Sequence, residues 1–253
     1  MKMLSNTVRA STLLGVALFQ FHAMAAGLPG SVTKYETILG ANRIIYSSSA
    51  NGASLSVTNP QDFPILIQSM VLNEALKPVD TFVVTPPVFR LDGKRMNKLS
   101  IVLAEDNGVS DRESLNWLCV KSIPPKSDDV WAKEENNAQS KKQADVNLQL
   151  SLNNCIKLIT RPTSLAGSVE SSASTLVWQQ RDHELTVTNP SPFYMNLATL
   201  MLDGKPVSNN KYVAPYSSQH IPLPSGMGKA RNVSWQIVND FGGNSQTYTK
   251  GLK

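Results

Sequence analysis

Residues 144–162 read Ala-Asp-Val-Asn-Leu-Gln-Leu-Ser-Leu-Asn-Asn-Cys-Ile-Lys-Leu-Ile-Thr-Arg-Pro. Val146, Leu148, Leu150 and Leu152 alternate with Asp145, Asn147, Gln149 and Ser151. A period of two sends all four apolar side chains to one side of a strand. Cys155, Lys157 and Arg161 follow on the same extended run, and Pro162 then breaks it. The spacing predicts one continuous strand over 144–161. Strands usually hold about five or six residues, so the excess length needs a reason. A surface offered to another protein supplies one.

Outward from this stretch the chain reads as all-β. Leu55-Ser56-Val57-Thr58-Asn59-Pro60 returns as Leu185-Thr186-Val187-Thr188-Asn189-Pro190, 130 residues later, with Phe63 and Phe193 at the same offset. Each copy reads as a half-buried strand, an Asn-Pro turn and a second strand. The repeat suggests two domains of similar topology. Strands are expected near 35–46, 53–59, 64–73, 82–91, 98–104, 114–122 and 144–161. In the second half they are expected near 174–179, 183–189, 194–202, 211–214, 218–222, 232–239 and 245–250. Seven short strands per half, punctuated by Gly, Pro, Asn and Asp, indicate immunoglobulin-like sandwiches. The Pro162–Gly167 region is the expected joint.

Residues 124–143 form a polar stretch too long for an ordinary sandwich loop, with Trp131 its main apolar member. Such loops are functional or disordered. Two readings stand: a mobile loop that orders on binding, or a solvated insertion. Cys119 and Cys155 flank it and are the only cysteines.

Lys2 and Arg9 precede the apolar run Leu13–Phe19, and Ala23-Met24-Ala25 supplies small residues where a signal peptidase would cut. This pattern is a secretory signal, and its core is too short to span a bilayer. In an oxidising compartment an even cysteine pair forms one disulfide, the alternative being two buried free thiols. The formal charge is +5, and losing Lys2 and Arg9 leaves +3. That mild excess, without a dense basic run interleaved with aromatics, argues against nucleic-acid binding.

Enzymatic signals are weak. His183 and His220 stand in no metal-ligand spacing, no Gly-x-Ser-x-Gly or phosphate loop occurs, and no cofactor is called for. The cations say more. Arg43 lies on the first strand of the first half and Lys157 on the last. These strands can approach each other in an immunoglobulin-like sandwich, so the pair could clamp a carboxylate. Two ordinary surface cations are the other reading.

Asn42–Tyr46, Ser122-Ile123-Pro124-Pro125-Lys126, Cys155–Pro162 and Trp235–Gly242 together resemble the periplasmic chaperones of the chaperone–usher pathway (PapD-like). The motifs stand in family order and span nearly all of the mature chain. The cysteine pair and the loop between them are similar to the long-loop (FGL) subfamily, which serves thin, capsule-like or afimbrial adhesin fibres.

The resemblance implies two immunoglobulin-like β-sandwich domains joined at an angle, in a boomerang shape. It divides the chain into a signal peptide at 1–25, an N-terminal domain at 26–162 carrying a donor strand, and a C-terminal domain at 163–253. Arg43 and Lys157 match the pair that anchors a fibre subunit's C-terminal carboxylate. Val146, Leu148, Leu150 and Leu152 match the donor strand, and Arg161 and Asp240 match an interdomain salt bridge. Many relatives carry a Glu just before Ile-Pro-Pro that completes a charge triad. Ser122 stands there, so no third member is inferred. The implied function is a non-enzymatic periplasmic chaperone that completes a fimbrial or afimbrial adhesin subunit by donor-strand complementation and delivers it to an outer-membrane usher. An apolar edge strand also invites self-association of the free protein. The rival reading is a secreted two-domain immunoglobulin-like adhesin or glycan-binding protein.

Overall fold

Alternation of buried and open side chains builds nearly every element. The computed structural model describes residues 30–105, 108–125, 129, 131, 146–208 and 212–252, without the side chains of 30–33 and 146–148. The expected signal peptide and most of the 124–143 loop lie outside the described residues.

The first half contains β1 (Gly30–Tyr35), β2 (Ile38–Leu39), β3 (Arg43–Ser47), β4 (Ala53–Thr58), β5 (Ile65–Asn73) and β6 (Phe82–Thr85). It continues with β7 (Val88–Leu91), β8 (Met96–Leu103), β9 (Ser114–Ile123), β10 (Val146–Ser151) and β11 (Asn153–Arg161). One sheet runs β2-β4-β8-β6 and the other β3-β11-β9-β5-β7. Leu55, Val57, Leu99 and Ile101 from the first sheet share a core with Ile65, Ile67, Leu118 and Leu158 from the second. Burying such a side chain contributes roughly 1.5–3 kcal/mol.

The second half opens with a short helix, α1 (Val169–Ala173), capped by Ser168, whose side chain accepts from the Ser171 amide. Then follow β12 (Val177–Arg181), β13 (Glu184–Asn189), β14 (Met195–Leu202), β15 (Lys205–Pro206) and β16 (Tyr212–Val213). The chain ends with β17 (Ser217–Pro222), β18 (Asn232–Ile237) and β19 (Tyr248–Gly251). The sheets β12-β13-β17 and β15-β14-β18-β19, with β16 added to β14, enclose Trp178, Leu185, Val187, Phe193, Leu200 and Trp235. Two immunoglobulin-like sandwiches result. Asp203 and Gly204, both at positive φ, make the tight turn between β14 and β15 that Asp-Gly favours.

The internal repeat has a structural meaning. Asn59 and Asn189 are both fully buried. Asn59 Nδ2 donates to Phe63 O (2.8 Å) and Leu91 O (3.0 Å), while its Oδ1 accepts from the Gln61 amide at 3.0 Å. Asn189 Nδ2 donates to Phe193 O (2.7 Å) and Ala214 O (3.0 Å), and its Oδ1 accepts from the Ser191 amide at 3.0 Å. Each asparagine satisfies backbone groups that would otherwise lie buried and unpaired.

Three expectations need correction. The 82–91 strand is two, because Pro86 and Pro87 between β6 and β7 offer no N–H to a ladder. The 35–46 strand is not continuous: β1 ends at Tyr35, and two short strands, β2 and β3, follow. The long 144–161 strand is divided at Leu152 into β10 and β11, which have different neighbours. β11 lies between β3 and β9, whereas β10 pairs in parallel with β1.

Candidate functional site

On β3 and β11 the even residues Ile44, Tyr46, Ile156 and Leu158 enter the first core. Side chains alternate across a strand, so Arg43, Lys157, Ile159 and Arg161 point the other way, toward the second sandwich. Parallel pairing places Lys157 opposite Arg43, and antiparallel pairing places it opposite Trp117. Adjacent strands lie about 4.8 Å apart, so the two cations are immediate neighbours. Both are half-buried.

Arg43 Nη1 donates to Val238 O at 3.2 Å, and its Nε is buried without a hydrogen-bond partner. The Lys157 ammonium lies 5.0 Å from the Trp117 ring centre and 5.7 Å from that of Tyr212. Burial lowers the pKa of Arg43, with Asp240 and Glu113 pulling it partly back. Burial and then the Arg43 charge lower the pKa of Lys157. Two cations held close together and partly dehydrated form a site that an anion would stabilise.

The sandwiches are braced one step further along the same face. Arg161 Nε donates to Glu113 Oε1 at 2.6 Å, and its two Nη atoms donate to Asp240 at 2.6 and 2.7 Å. Glu113 Oε2 accepts from the Tyr194 amide of the second sandwich at 2.7 Å. Burial pushes the Glu113 carboxyl up, against the downward pull of Arg161 and the Tyr194 amide. Burial alone would lower the pKa of Arg161, but its bonds to Asp240 and Glu113 raise it far above the ordinary value. Leu115, Ile159 and Tyr194 make a small apolar cluster beside this network, with Ile45, Trp117, Tyr212 and Ala214 against it. Asn42 Nδ2 donates to Gly242 O at 2.9 Å. Gly242 has φ +84°, a left-handed backbone that favours glycine, and a Cβ there would push the Asn42 side chain aside.

In the other direction along β11 comes the disulfide between Cys119 and Cys155, which are cross-strand partners. Beyond it, Ser122 marks where the strand changes partners. The Ser122 amide donates to Leu152 O at 3.0 Å, and the Leu152 amide donates to Ser122 Oγ at 3.3 Å. Ser122 Oγ also bonds Tyr35 O, and Ser151 Oγ bonds Ser122 O. These bonds tie the ends of β1, β9 and β10 together. From there β10 runs on with β1 alone among the described residues, in the register Val146–Gly30, Leu148–Val32 and Leu150–Lys34. Leu150 is exposed at 38 %, and Leu152 sits half-buried in the break. A shallow cavity of about 620 Å³, lined by Leu39, Ala41, Asn153, Cys155, Ile156 and Phe241 among others, covers this face between the break and the cations.

The fold therefore brings Arg43 beside Lys157, Cys119 to Cys155 and Arg161 to Asp240, with β10 leading away from the same sheet. Sequence reasoning missed Glu113, Trp117, Tyr212 and Glu74, whose Oε1 accepts from the Tyr212 hydroxyl at 2.8 Å. The third charge of the brace is Glu113, just before β9, rather than a residue near the end of that strand, where Ser122 stands. An acid next to a predicted strand gave no distinguishing signal. Trp117 could have been found, because a strand-mid tryptophan two residues before Cys119 must share its face.

Comparison with known proteins agrees with this architecture. Residues 37–166 match the pili and flagellar-assembly chaperone PapD N-terminal domain, and residues 171–249 match the PapD C-terminal domain. The chain belongs to the PapD family of pilus-assembly chaperones. Among relatives, the chaperone protein caf1M of Yersinia pestis is 42 % identical, covering 96 % of this chain and 98 % of its own. The chaperone protein AggD of Escherichia coli is 39 % identical over 94 % of this chain and 95 % of its own. The crystal structure of the E. coli chaperone DraB superimposes with a TM-score of 0.76 at 40 % identity, covering 88 % of this chain and all of that one. The SafB chaperone of Salmonella enterica, solved in complex with the SafA pilin, gives 0.78 at 37 % identity, covering 89 % of this chain and all of SafB. As a member of this family, the protein is a periplasmic assembly chaperone of the chaperone–usher pathway.

Proposed function

We propose that this chaperone holds a fimbrial or afimbrial adhesin subunit by lending it β10 and by clamping the subunit's C-terminal carboxylate between Arg43 and Lys157. The observation that carries the reading is the adjacent, half-buried cation pair on the sheet from which β10 emerges with one edge unpaired among the described residues.

A subunit that lacks its last strand exposes an apolar groove and a sheet edge. β10 adds to that edge, its backbone N–H and C=O groups completing the ladder. Val146, Leu148, Leu150 and Leu152 fill the groove, each contributing up to roughly 1.5–3 kcal/mol. The carboxylate gains charge-assisted bonds of about 1.5–3 kcal/mol each and sets the register. Register is decisive, because a slip of one residue turns every apolar side chain to the wrong face. At the usher, the N-terminal extension of another subunit replaces β10 by the same pairing, so no nucleotide and no catalytic step are needed. The open edge leaves the free chaperone prone to pair with itself. The cysteine pair bracketing the 124–143 loop supports a thin, capsule-like or afimbrial fibre as the product. Residues 1–25 are taken as the export signal, with domains at 26–162 and 163–253.

Co-expression with the cognate subunit tests the clamp. Arg43→Ala combined with Lys157→Ala should abolish recovery of the subunit from the periplasm while leaving circular dichroism unchanged. Undiminished recovery would rule the clamp out.

A further inference from the structure

Both cations of the proposed carboxylate site sit on the first domain, yet the second domain holds each of them. Arg43 is held by the Val238 carbonyl. Lys157 is held differently. Its ammonium has no hydrogen bond or acid partner among the described residues, and what faces it are rings: Trp117 on β9 at 5.0 Å and Tyr212 on β16 of the second domain at 5.7 Å. Arg43 on β3 is the charged neighbour. Tyr212 is itself fixed. Its hydroxyl donates to Glu74 Oε1 of the first domain at 2.8 Å, and its ring meets that of Tyr194 edge-on with centroids 5.5 Å apart.

We propose that Tyr212 is a positioning residue of the carboxylate site: with Trp117 it grips the Lys157 ammonium beside Arg43, and Glu74 locks its ring in place across the domain boundary. The functional meaning of this grip rests on the carboxylate-binding reading above.

The physical need is specific. Two like charges on neighbouring strands repel, and a lysine on a flexible four-carbon stem would swing out to water. An acid placed beside Lys157 would restrain it but would also neutralise the charge the ligand must meet. Ring faces attract the ammonium through their quadrupoles and leave its charge intact. The acid that is present, Glu74, is spent on the Tyr212 hydroxyl. The site on the first domain is therefore complete only with the second domain docked.

The test uses free chaperone carrying lysine labelled with ¹⁵N at Nζ, with nuclear magnetic resonance order parameters read for the Lys157 ammonium and for exposed Lys98. In the unchanged protein Lys157 should be clearly more ordered than Lys98. Tyr212→Ala should drop it to the Lys98 level, whereas Tyr212→Phe, which keeps the ring, should retain most of the order. Three results would overturn the proposal: Lys157 as mobile as Lys98 from the outset, no change in Tyr212→Ala, or equal loss in Tyr212→Phe and Tyr212→Ala. All are read without ligand. If instead the Arg43→Ala, Lys157→Ala chaperone still recovers subunit, the carboxylate reading fails while the grip is judged separately.

Discussion

Replacing Glu113 by alanine should loosen the two sandwiches more than replacing its fellow acid Asp240. The Glu113 side chain is 1 % exposed and receives two short charge-assisted bonds, from Arg161 Nε at 2.6 Å and the Tyr194 amide at 2.7 Å. Each such bond is worth roughly 1.5–3 kcal/mol, and breaking a buried pair costs about 3–5 kcal/mol. Arg161 is 21 % exposed and keeps both bonds to Asp240, so the lower end applies, about 3 kcal/mol. With a urea m-value of about 2 kcal/mol/M, the midpoint should fall by about 1.5 M. Glu113→Gln keeps an acceptor for the Tyr194 amide and should lose about half as much. Asp240→Ala should also lose less than Glu113→Ala, because its carboxylate is 31 % exposed and water can replace it. Urea unfolding followed by tryptophan fluorescence, paired with small-angle scattering for the interdomain angle, measures both effects. A loss below about 1 kcal/mol with an unchanged angle would refute the argument that this buried carboxylate ties the domains.

Subunit affinity should depend on pH in a defined direction. Burial and Arg43 hold the Lys157 pKa below its usual value, and a bound carboxylate raises it. Between those two pKa values the complex binds more protons than the free chaperone, so affinity falls as pH rises through that window. Titration calorimetry across alkaline pH should show this fall, and Lys157→Arg should flatten it; a flat profile for the unchanged protein would exclude Lys157 from the contact. Removing both cysteines opens a link spanning 36 residues and should cost about 3–4 kcal/mol by loop entropy, read as a lowered urea midpoint. An unshifted midpoint would make the disulfide incidental. Leu150→Asp should weaken subunit capture without altering the fold, since Leu150 is exposed; wild-type capture would remove this residue from the interface.

How far the sequence carried the fold depended on how local each determinant was. The alternation that begins at Val146 and the Asn59/Asn189 repeat are local patterns; the first falls on the strand β10, Val146–Ser151, and the second on two buried asparagines that hold equivalent turns. The break at Leu152 was not legible, because it depends on a serine 30 residues upstream whose hydroxyl and backbone meet the chain there. The division of 82–91 was legible in principle, since two prolines in a run argue against an interior strand. Strand order allowed Arg43 and Lys157 to meet but left two separate surface cations as the other reading; the family resemblance pointed to the pair, and the parallel register of β3 and β11 sets them side by side. The surroundings that tune them did not, because Tyr212, Val238 and Glu74 reach the site only through the packing of one domain on the other.

The central claim is that β10 completes the sheet of a bound subunit. Hydrogen exchange at the backbone amides of Asn147 to Ser151, compared between free chaperone and its complex with the cognate subunit, measures that pairing directly. Amides facing away from β1 should slow by orders of magnitude in the complex. A complex that forms while those amides exchange as fast as before would contradict the account.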